Sequence, residues 1–381
     1  MLQRITLPRI TQITDSACDD LPYLLRRSGY RVPLLITDRV TAELGLAAPF
    51  RQRLEQHQIM HDQYAGLEAE TSMAEVIQGA HKVRTGCNDL YPDPFDCLVA
   101  LGGSNVINAT KSISLVVANG TAGLPANNPG LPIIAIPTTD SVAEITHHTN
   151  LPDGGHSPAP HSTTPVAILL DSELIANMTP LIGRATALST LSYAIEAFTS
   201  PNASLFSNQQ ALAALRLLNT HLEAALTQSY QHDTSQAMSL AARLAGIAFN
   251  ASGGQLLHAI SHSLSQTFNI EHPISRALLL APVIRLLAKR QPAPYAQCAQ
   301  TLGLKHANDA PDKAAQWLAR RVTALYKKAQ LPGLPLFIED KTDYLAQTGP
   351  MSEQVCGLLS GDKLETTEAD VRRVYRGLWR E

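Results

Sequence analysis

The pattern of apolar and polar positions changes character near the middle of the chain. In roughly the first 180 residues, short apolar runs alternate with stretches of helical period. The four clearest runs are VPLLITD (32–38), FDCLVALGG (95–103), LPIIAIPTT (131–139) and TPVAILLD (164–171). Strands that are apolar throughout and are separated by helices indicate a parallel sheet covered on both faces. The pattern therefore predicts an α/β domain.

From about residue 179 onward the period is almost entirely helical, as in ATALSTLSYAIEAF and ALLLAPVIRLLA. This part predicts an α-helical second domain, with the boundary near MTPLIGR (178–184) and domains of 1–178 and 179–381. A chain of 381 residues is long enough for two cores. Residues 150–165, rich in Pro, Gly and Ser, predict an exposed loop or a hairpin.

Composition narrows the class of protein. The chain is 45% hydrophobic, 17% charged and has a net charge of −3, which indicates a folded protein without a nucleic-acid partner. The five cysteines are scattered and never in CxxC spacing, so neither a disulfide framework nor a thiolate metal site is expected. The first ten residues have no signal-peptide pattern, and no apolar run reaches about 20 residues. We expect a cytoplasmic protein with no membrane partner.

Glycines follow one predicted strand and precede a helix. Gly102 and Gly103 allow close approach of the backbone, and the amides of a helix N-terminus attract phosphate. Ser104 or Asn105 is expected to cap that helix. This turn predicts a phosphate-binding site, although two glycines before a helix are common.

Other polar side chains also end strands. Asp38 follows LIT, where a carboxylate either accepts hydrogen bonds from a ribose diol, favouring NAD, or only caps the next helix. Thr138 and Thr139 end IAIPTT. Open α/β sheets bind ligands at the carboxyl ends of their strands, so these side chains are candidate cofactor contacts.

The stretch QLLHAISHSLSQTFNIEH (255–272) carries three histidines. His258 and His262 are four residues apart and share one helix face, and His272 follows. Three interpretations are open: a metal site, a proton relay, or imidazoles that form local hydrogen bonds only.

Several long segments resemble the iron-containing (group III) alcohol dehydrogenase family, in the same order along the chain. They are LITD (35–38), VALGGSNVINATK (99–111), IAIPTT (134–139), VAILLDSEL (166–174), ATALSTLSYAIEAFTS (185–200), LAGIAFNASGGQLLHAISHSL (244–264) and EHPISRALLLAPV (271–283). The resemblance implies an N-terminal parallel-sheet domain that binds NAD(P) and a C-terminal all-α domain that holds a divalent metal. This is the dehydroquinate synthase-like fold, with the substrate between the domains.

The resemblance also implies roles for the histidines. His258 and His272 match metal ligands for Fe or Zn, whereas His262 matches a residue near the nicotinamide. The family's two other ligands form an Asp-x-x-x-His motif, and here those positions are Ser189 and Tyr193. One alternative keeps a metal, with Tyr193 or Glu196 completing its shell. In the other, Tyr193 donates a hydrogen bond to the substrate oxygen and His262 relays the proton.

The cofactor motifs depart from the family as well. Where the family reads GGGSxxDxxK, this chain reads GGSNVINATK, and only the lysine of the second half, Lys111, is kept. After IPTT the family has a second glycine-rich turn, and this chain has DSVAE in its place. The implied cofactor contacts are Asp38, Gly102, Gly103, Ser104, Asn105, Lys111, Thr138 and Thr139. His147 and His148 are weaker candidates as replacement metal ligands.

The resulting hypothesis is an NAD(P)-dependent oxidoreductase that interconverts a small alcohol and an aldehyde or ketone by hydride transfer. The alternative is a non-catalytic or regulatory homologue, and a metal-dependent lyase or cyclase is a third reading. The resemblance implies a homo-oligomer, dimeric or larger. The sequence leaves the substrate open.

Overall fold

The computed structural model describes residues 7–68, 71–87, 94–121, 128–139, 149–150, 156–157, 163–176, 178–227, 232–254, 256–305, 309–359 and 365–379. The described residues form two compact units, one up to Met178 and the other from Thr179 onward. None of the helices in these ranges combines the length and apolar character that crossing a bilayer requires.

The first unit contains a six-stranded sheet. Its strands are β1 (Ile10–Thr14), β2 (Pro33–Asp38), β3 (Asp62–Leu67), β4 (Cys97–Gly102), β5 (Ile133–Pro137) and β8 (Ala167–Asp171). They pair in the order β1-β8-β5-β4-β2-β3, with every pairing parallel. The predicted parallel α/β architecture is confirmed. Two further short strands, β6 (Thr149–Asn150) and β7 (His156–Ser157), pair antiparallel within the segment predicted as a loop or hairpin.

Helices connect the strands of the first unit and make up almost all of the second. The first unit has α1 (Ala17–Ser28), α2 (Arg39–Glu43), α3 (Ala48–Gln56), α4 (Met73–Thr85), α5 (Ser104–Asn119) and α6 (Ser172–Ala176). The second has α7 (Pro180–Thr199), α8 (Leu205–Thr227), α9 (His232–Ser252), α10 (Leu256–Phe268), α11 (His272–Leu287), α12 (Pro292–Thr301), α13 (Pro311–Lys328), a 3₁₀ turn (Leu334–Leu336), α14 (Lys341–Leu358) and α15 (Glu368–Leu378).

The core of the first unit explains why its central strands are apolar. Every residue of β4, β5 and β8 is buried, because helices cover the sheet. Leu21 and Leu25 of α1 and Phe50 of α3 pack against strand residues in one core cluster. On α4, Gly79 lies so close to Ile113 of α5 that a Cβ there would be 2.5 Å from its Cδ1.

The order of the strands determines where in the sheet the candidate cofactor residues lie. After β2 the chain adds β3 on one side and then crosses to place β4 on the other side of β2. Ligands of open α/β sheets bind outside the carboxyl ends of the strands where the order reverses in this way. That position lies between Asp38, which ends β2, and Gly102, which ends β4.

In the second unit, α7 is the most enclosed helix. All its residues from Ala185 to Thr199 are buried, and it packs against α8, α9 and α11. A helix that is apolar almost all round is expected at the centre of a bundle. The polar side chains that α7 does carry are therefore held inside the unit.

Asp171 links two helices to the end of β8. Its Oδ2 accepts a hydrogen bond from the amide of Ala17 at 2.7 Å, and its Oδ1 accepts from the amides of Glu173 and Leu174 at 2.9 and 3.1 Å. The side chain is buried, so its loss would leave these amide groups without their acceptor in a low-dielectric environment.

We predict that Asp171→Ala lowers the free energy of unfolding by about 2–4 kcal/mol, because capping and buried amide bonds are lost together. Urea denaturation followed by circular dichroism measures the loss. Asp15→Ala is the control, because Asp15 is exposed and accepts from Ser172 at the surface. Equal losses in the two variants would show that Asp171 is not a structural link.

Candidate functional site

The glycine turn and the threonines lie together at the carboxyl ends of β4 and β5. The amide of Thr138 donates to the carbonyl of Gly102 at 3.1 Å. A Cβ on Gly103 would be 3.6 Å from Oγ1 of Thr139. Thr138 and Thr139 are partly exposed, so their hydroxyl-bearing side chains reach the surface beside the turn.

The helix after the turn begins earlier than predicted. Ser104 is the first residue of α5, and Gly103 is its N-cap, with no side-chain hydrogen bond at the cap. The expectation that Ser104 or Asn105 caps this helix is wrong, because the chain turns helical immediately after β4. Glycine has no side chain that could accept hydrogen bonds from the amides of the first helical turn. An anion that approaches the backbone could accept those hydrogen bonds instead.

Asp38 caps α2. Its Oδ1 accepts from the amide of Thr41 at 2.6 Å, so the simpler of the two roles expected for this residue is present. The other carboxylate oxygen has no hydrogen bond with any described residue. Contact with a ribose diol stays a prediction.

Lys111 is enclosed within the first unit. It has no exposed surface, and burial lowers its pKa to about 7. An enclosed side chain reaches a cofactor phosphate only if neighbouring residues move, so a role for Lys111 in cofactor binding also stays a prediction. His147 and His148 lie outside the described residues.

In the second unit, three helices each contribute a pair of side chains spaced four residues apart. The pairs are Ser189 and Tyr193 on α7, His258 and His262 on α10, and His272 and Arg276 on α11. Side chains at this spacing lie on one helix face, one turn apart. The same geometry adds Ser192 and Glu196 to the face of α7.

The three histidines form a triangle. The ring centroids of His258 and His272 are 5.7 Å apart, and that of His262 is 6.3 Å from each. Phe249 of α9 closes one side, with its ring 5.3 Å from that of His258. The sequence-based expectation that these histidines lie together agrees with this geometry, and their chemical roles stay predictions.

Arg276 is the residue that sequence reasoning missed. Its guanidinium is fully buried and lies over the ring of Tyr193, with Cζ 3.6 Å from the ring centroid. Nε donates to Oγ of Ser192 at 2.8 Å, and Nη1 is 3.5 Å from Nδ1 of His258. The signal was an arginine inside the apolar run ISRALLLAPV, because a charge placed there needs a buried partner.

Glu196 is that partner. Its Oε2 accepts from Nη2 of Arg276 at 2.7 Å, and the two side chains are 4% and 0% exposed, respectively. Its Oε1 accepts from the backbone amide of His258 at 2.9 Å. Each carboxylate oxygen is thus engaged by the protein, and one carboxylate connects α7, α10 and α11.

The environment sets the protonation of two candidate residues. Burial, helped by the positive charge of Arg276, holds the pKa of His272 well below its usual value, so this ring is neutral near pH 7. Burial raises the pKa of Tyr193, an effect that Arg276 partly offsets. The phenol is therefore protonated near neutral pH and can donate a hydrogen bond.

The hydroxyl of Tyr193 has no hydrogen-bond partner in the part of the chain that the structure describes. None of the described residues donates a hydrogen bond to this oxygen or accepts one from it, and the oxygen is not fully buried. Tyr193 is 8% exposed. The ring is held by Arg276 and Phe249, so the hydroxyl oxygen has a fixed position, and no described residue uses its hydrogen-bonding capacity.

These residues do not fit a divalent metal. Ser189 and Tyr193 occupy the positions that the family resemblance assigns to a carboxylate and an imidazole, and the carboxylate of Glu196 is paired with Arg276. Within the described ranges, no group of three or more His, Cys, Asp or Glu side chains is arranged to hold a metal ion. Completion of a metal shell by Glu196, one of the alternatives considered from the sequence, conflicts with its two hydrogen bonds.

Both parts of the chain match one family. Residues 8–172 match "Iron-containing alcohol dehydrogenase", and residues 184–334 match "Fe-containing alcohol dehydrogenase family, C-terminal". The chain is 30% identical to 1-propanol dehydrogenase PduQ of Salmonella typhimurium, over 76% of each protein. It is 26% identical to NAD-dependent methanol dehydrogenase of Bacillus methanolicus, over 86% of this chain and 87% of that protein.

The fold is shared with solved structures. The crystal structure of a 1,3-propanediol oxidoreductase superposes with a TM-score of 0.87 at 21% identity, covering 99% of this chain and 100% of that one.

The family depends on NAD(P) and a metal, and neither relative favours the alternative of a non-catalytic homologue. The chain belongs to the iron-containing alcohol dehydrogenase family and is an oxidoreductase that interconverts alcohols and aldehydes.

Proposed function

We propose that the chain reduces a small aldehyde or ketone with NADH, and oxidises the alcohol in the reverse direction, with Tyr193 as the proton donor. A nicotinamide, when bound, would supply the hydride for the carbonyl carbon, and Tyr193 donates its phenolic proton to the carbonyl oxygen. His262 then returns a proton to Tyr193. The observation that carries this proposal is the fixed Tyr193 hydroxyl, which has no hydrogen-bond partner among the described residues.

The state of the phenol supports this role. Burial raises the pKa of Tyr193, so the group that would give a proton in the reductive direction is protonated at neutral pH. Its ring is held by the guanidinium on one side and by the edge-on ring of Phe249, 4.9 Å away, on another. A donor with a fixed ring loses little freedom when a substrate oxygen binds.

Proton return through His262 rests on its place in the histidine triangle. His262 is 7% exposed and lies one turn after His258, whose Nδ1 meets the guanidinium stacked on Tyr193. Imidazole exchanges protons near neutral pH, which is what a relay between a phenol and solvent requires.

Cytoplasmic location and assembly into a homo-oligomer stay predictions of the proposal.

NADH as the cofactor is supported by the strand ends of the first unit. Asp38, the Gly102–Gly103 turn and the two threonines end three adjacent strands, beside the point where the strand order reverses. A carboxylate at the first of these ends accepts from a ribose diol and repels a 2′-phosphate. The similar methanol dehydrogenase of Bacillus methanolicus is NAD-dependent, which agrees with this preference.

For Tyr193→Phe we predict a fall in kcat for aldehyde reduction of about 100-fold or more, because the proton donor is lost while the stacked ring is kept. Stopped-flow oxidation of NADH measures this, and the NADH dissociation constant should not change. Tyr23→Phe, at an exposed position on α1, is the control. An unaffected rate in the Tyr193 variant would remove this residue from the mechanism.

For Gly103→Ala we predict at least a roughly 10-fold weaker affinity for NADH, with an unchanged melting temperature. The added methyl has room in the folded chain, since its nearest neighbours are 3.6 and 3.8 Å away, but it would stand between the backbone and a phosphate. Fluorescence titration gives the affinity, and Gly357→Ala on α14, where nothing lies within 4 Å, is the control. Full affinity in the Gly103 variant would place the phosphates elsewhere.

Asp38→Asn separates the two roles of Asp38. Asparagine still caps α2, but it no longer repels a 2′-phosphate, so we predict that the ratio of kcat/KM for NADPH to that for NADH rises by about 10-fold. The control is Asp96→Asn, at the amino end of β4, where the carboxylate accepts from the amides of Arg31 and Val32. A constant ratio would mean that Asp38 is a cap only.

A further inference from the structure

A permanent positive charge is buried in the helical unit beside the histidine triangle. A guanidinium keeps its charge in proteins, and that of Arg276 has no exposed surface. It therefore does not meet a substrate directly. Its contacts are instead with side chains of α7 and α10: Ser192, Tyr193, Glu196 and His258.

Arg276 lies among the positions that hold the metal in the family. Its Nη1 is 3.5 Å from Nδ1 of His258, and its Cζ is 3.6 Å above the ring of Tyr193. It also sits one turn after His272 on the same helix. The guanidinium thus contacts the residues at two of the four ligand positions and is one helical turn from a third.

The guanidinium of Arg276 disfavours the binding of a second cation near it. A divalent ion near His258 would meet the like charge of Arg276 at short range in a buried environment, where repulsion is strong. The carboxylate that would offset its charge, Glu196, is already neutralised by the guanidinium.

We propose that Arg276 takes the place of the metal in this chain, as a built-in cation that holds Tyr193, Glu196 and His258 in position and excludes divalent ions. Arg276 is a positioning residue, because it acts through the side chains that it contacts. The metal exclusion does not depend on the proposed reaction. Metal uptake is measured on purified protein, and the protein need not turn over any substrate for this measurement.

The test rebuilds the family's ligand set with and without the guanidinium. Three proteins are loaded with Zn²⁺, desalted and assayed for metal: the natural chain, S189D/Y193H/R276N and S189D/Y193H/R276K. We expect about one ion per chain only in the variant with R276N, because four ligands are then present and the cation is gone. The R276K variant is the matched control, since it has the same ligands and keeps a positive charge.

Two results would overturn the proposal. One is stoichiometric zinc in the natural chain that is lost in H258A/H272A. The other is equal uptake by the R276N and R276K variants, whether both bind zinc or neither does. If the triple variants fail to fold by circular dichroism, Arg276→Asn alone decides: releasing Glu196 beside His258 and His272 should raise Zn²⁺ affinity at least about 10-fold by calorimetry, and no gain would refute the role of Arg276.

Discussion

The ion pair between Arg276 and Glu196 is the constraint on which the helical site depends. Both side chains are removed from water, and such a pair stabilises a fold little, if at all, relative to apolar residues of the same volume. Its strength as a constraint comes from the cost of breaking it, since removal of one partner of a buried pair costs about 3–5 kcal/mol. The pair and the hydrogen bond from the His258 amide to Glu196 hold α7, α10 and α11 in one arrangement.

The candidate cofactor site is built on a different principle. Its position follows from parallel topology, which brings the carboxyl ends of β2, β4 and β5 to one edge, and its groups are mainly backbone amides and short side chains. Substitutions that remove glycines from the family motif alter the surface of such a site and leave its location unchanged. The helical site has no comparable backbone frame, because its geometry comes from side chains that pair with each other. Substitution of one member therefore changes what the others can do.

Sequence alone predicted the central strands well, because they are apolar at nearly every position. VPLLITD corresponds to β2, and FDCLVALGG contains β4. It did not predict β1 and β3, whose sequences ITQIT and DQYAGL contain few apolar residues, since edge strands are only partly buried. It placed the histidines together from their spacing and the family pattern. It could not supply the pairing of Arg276 with Glu196, which lie 80 residues apart in the chain and meet only when three helices pack.

Charge connects the substitutions at positions 189, 193 and 276. In the family, one aspartate and a divalent cation together bring a single net positive charge to this region, beside a glutamate. In this chain Ser189 has no charge, Tyr193 is neutral because burial raises its pKa, and Arg276 brings one positive charge beside Glu196. The local charge balance is thus the same with different groups. A site that had only lost its ligands would keep a buried glutamate without a counter-ion, which is costly. In this chain the guanidinium supplies that counter-ion and, from its position over the ring of Tyr193, also holds the phenol in place.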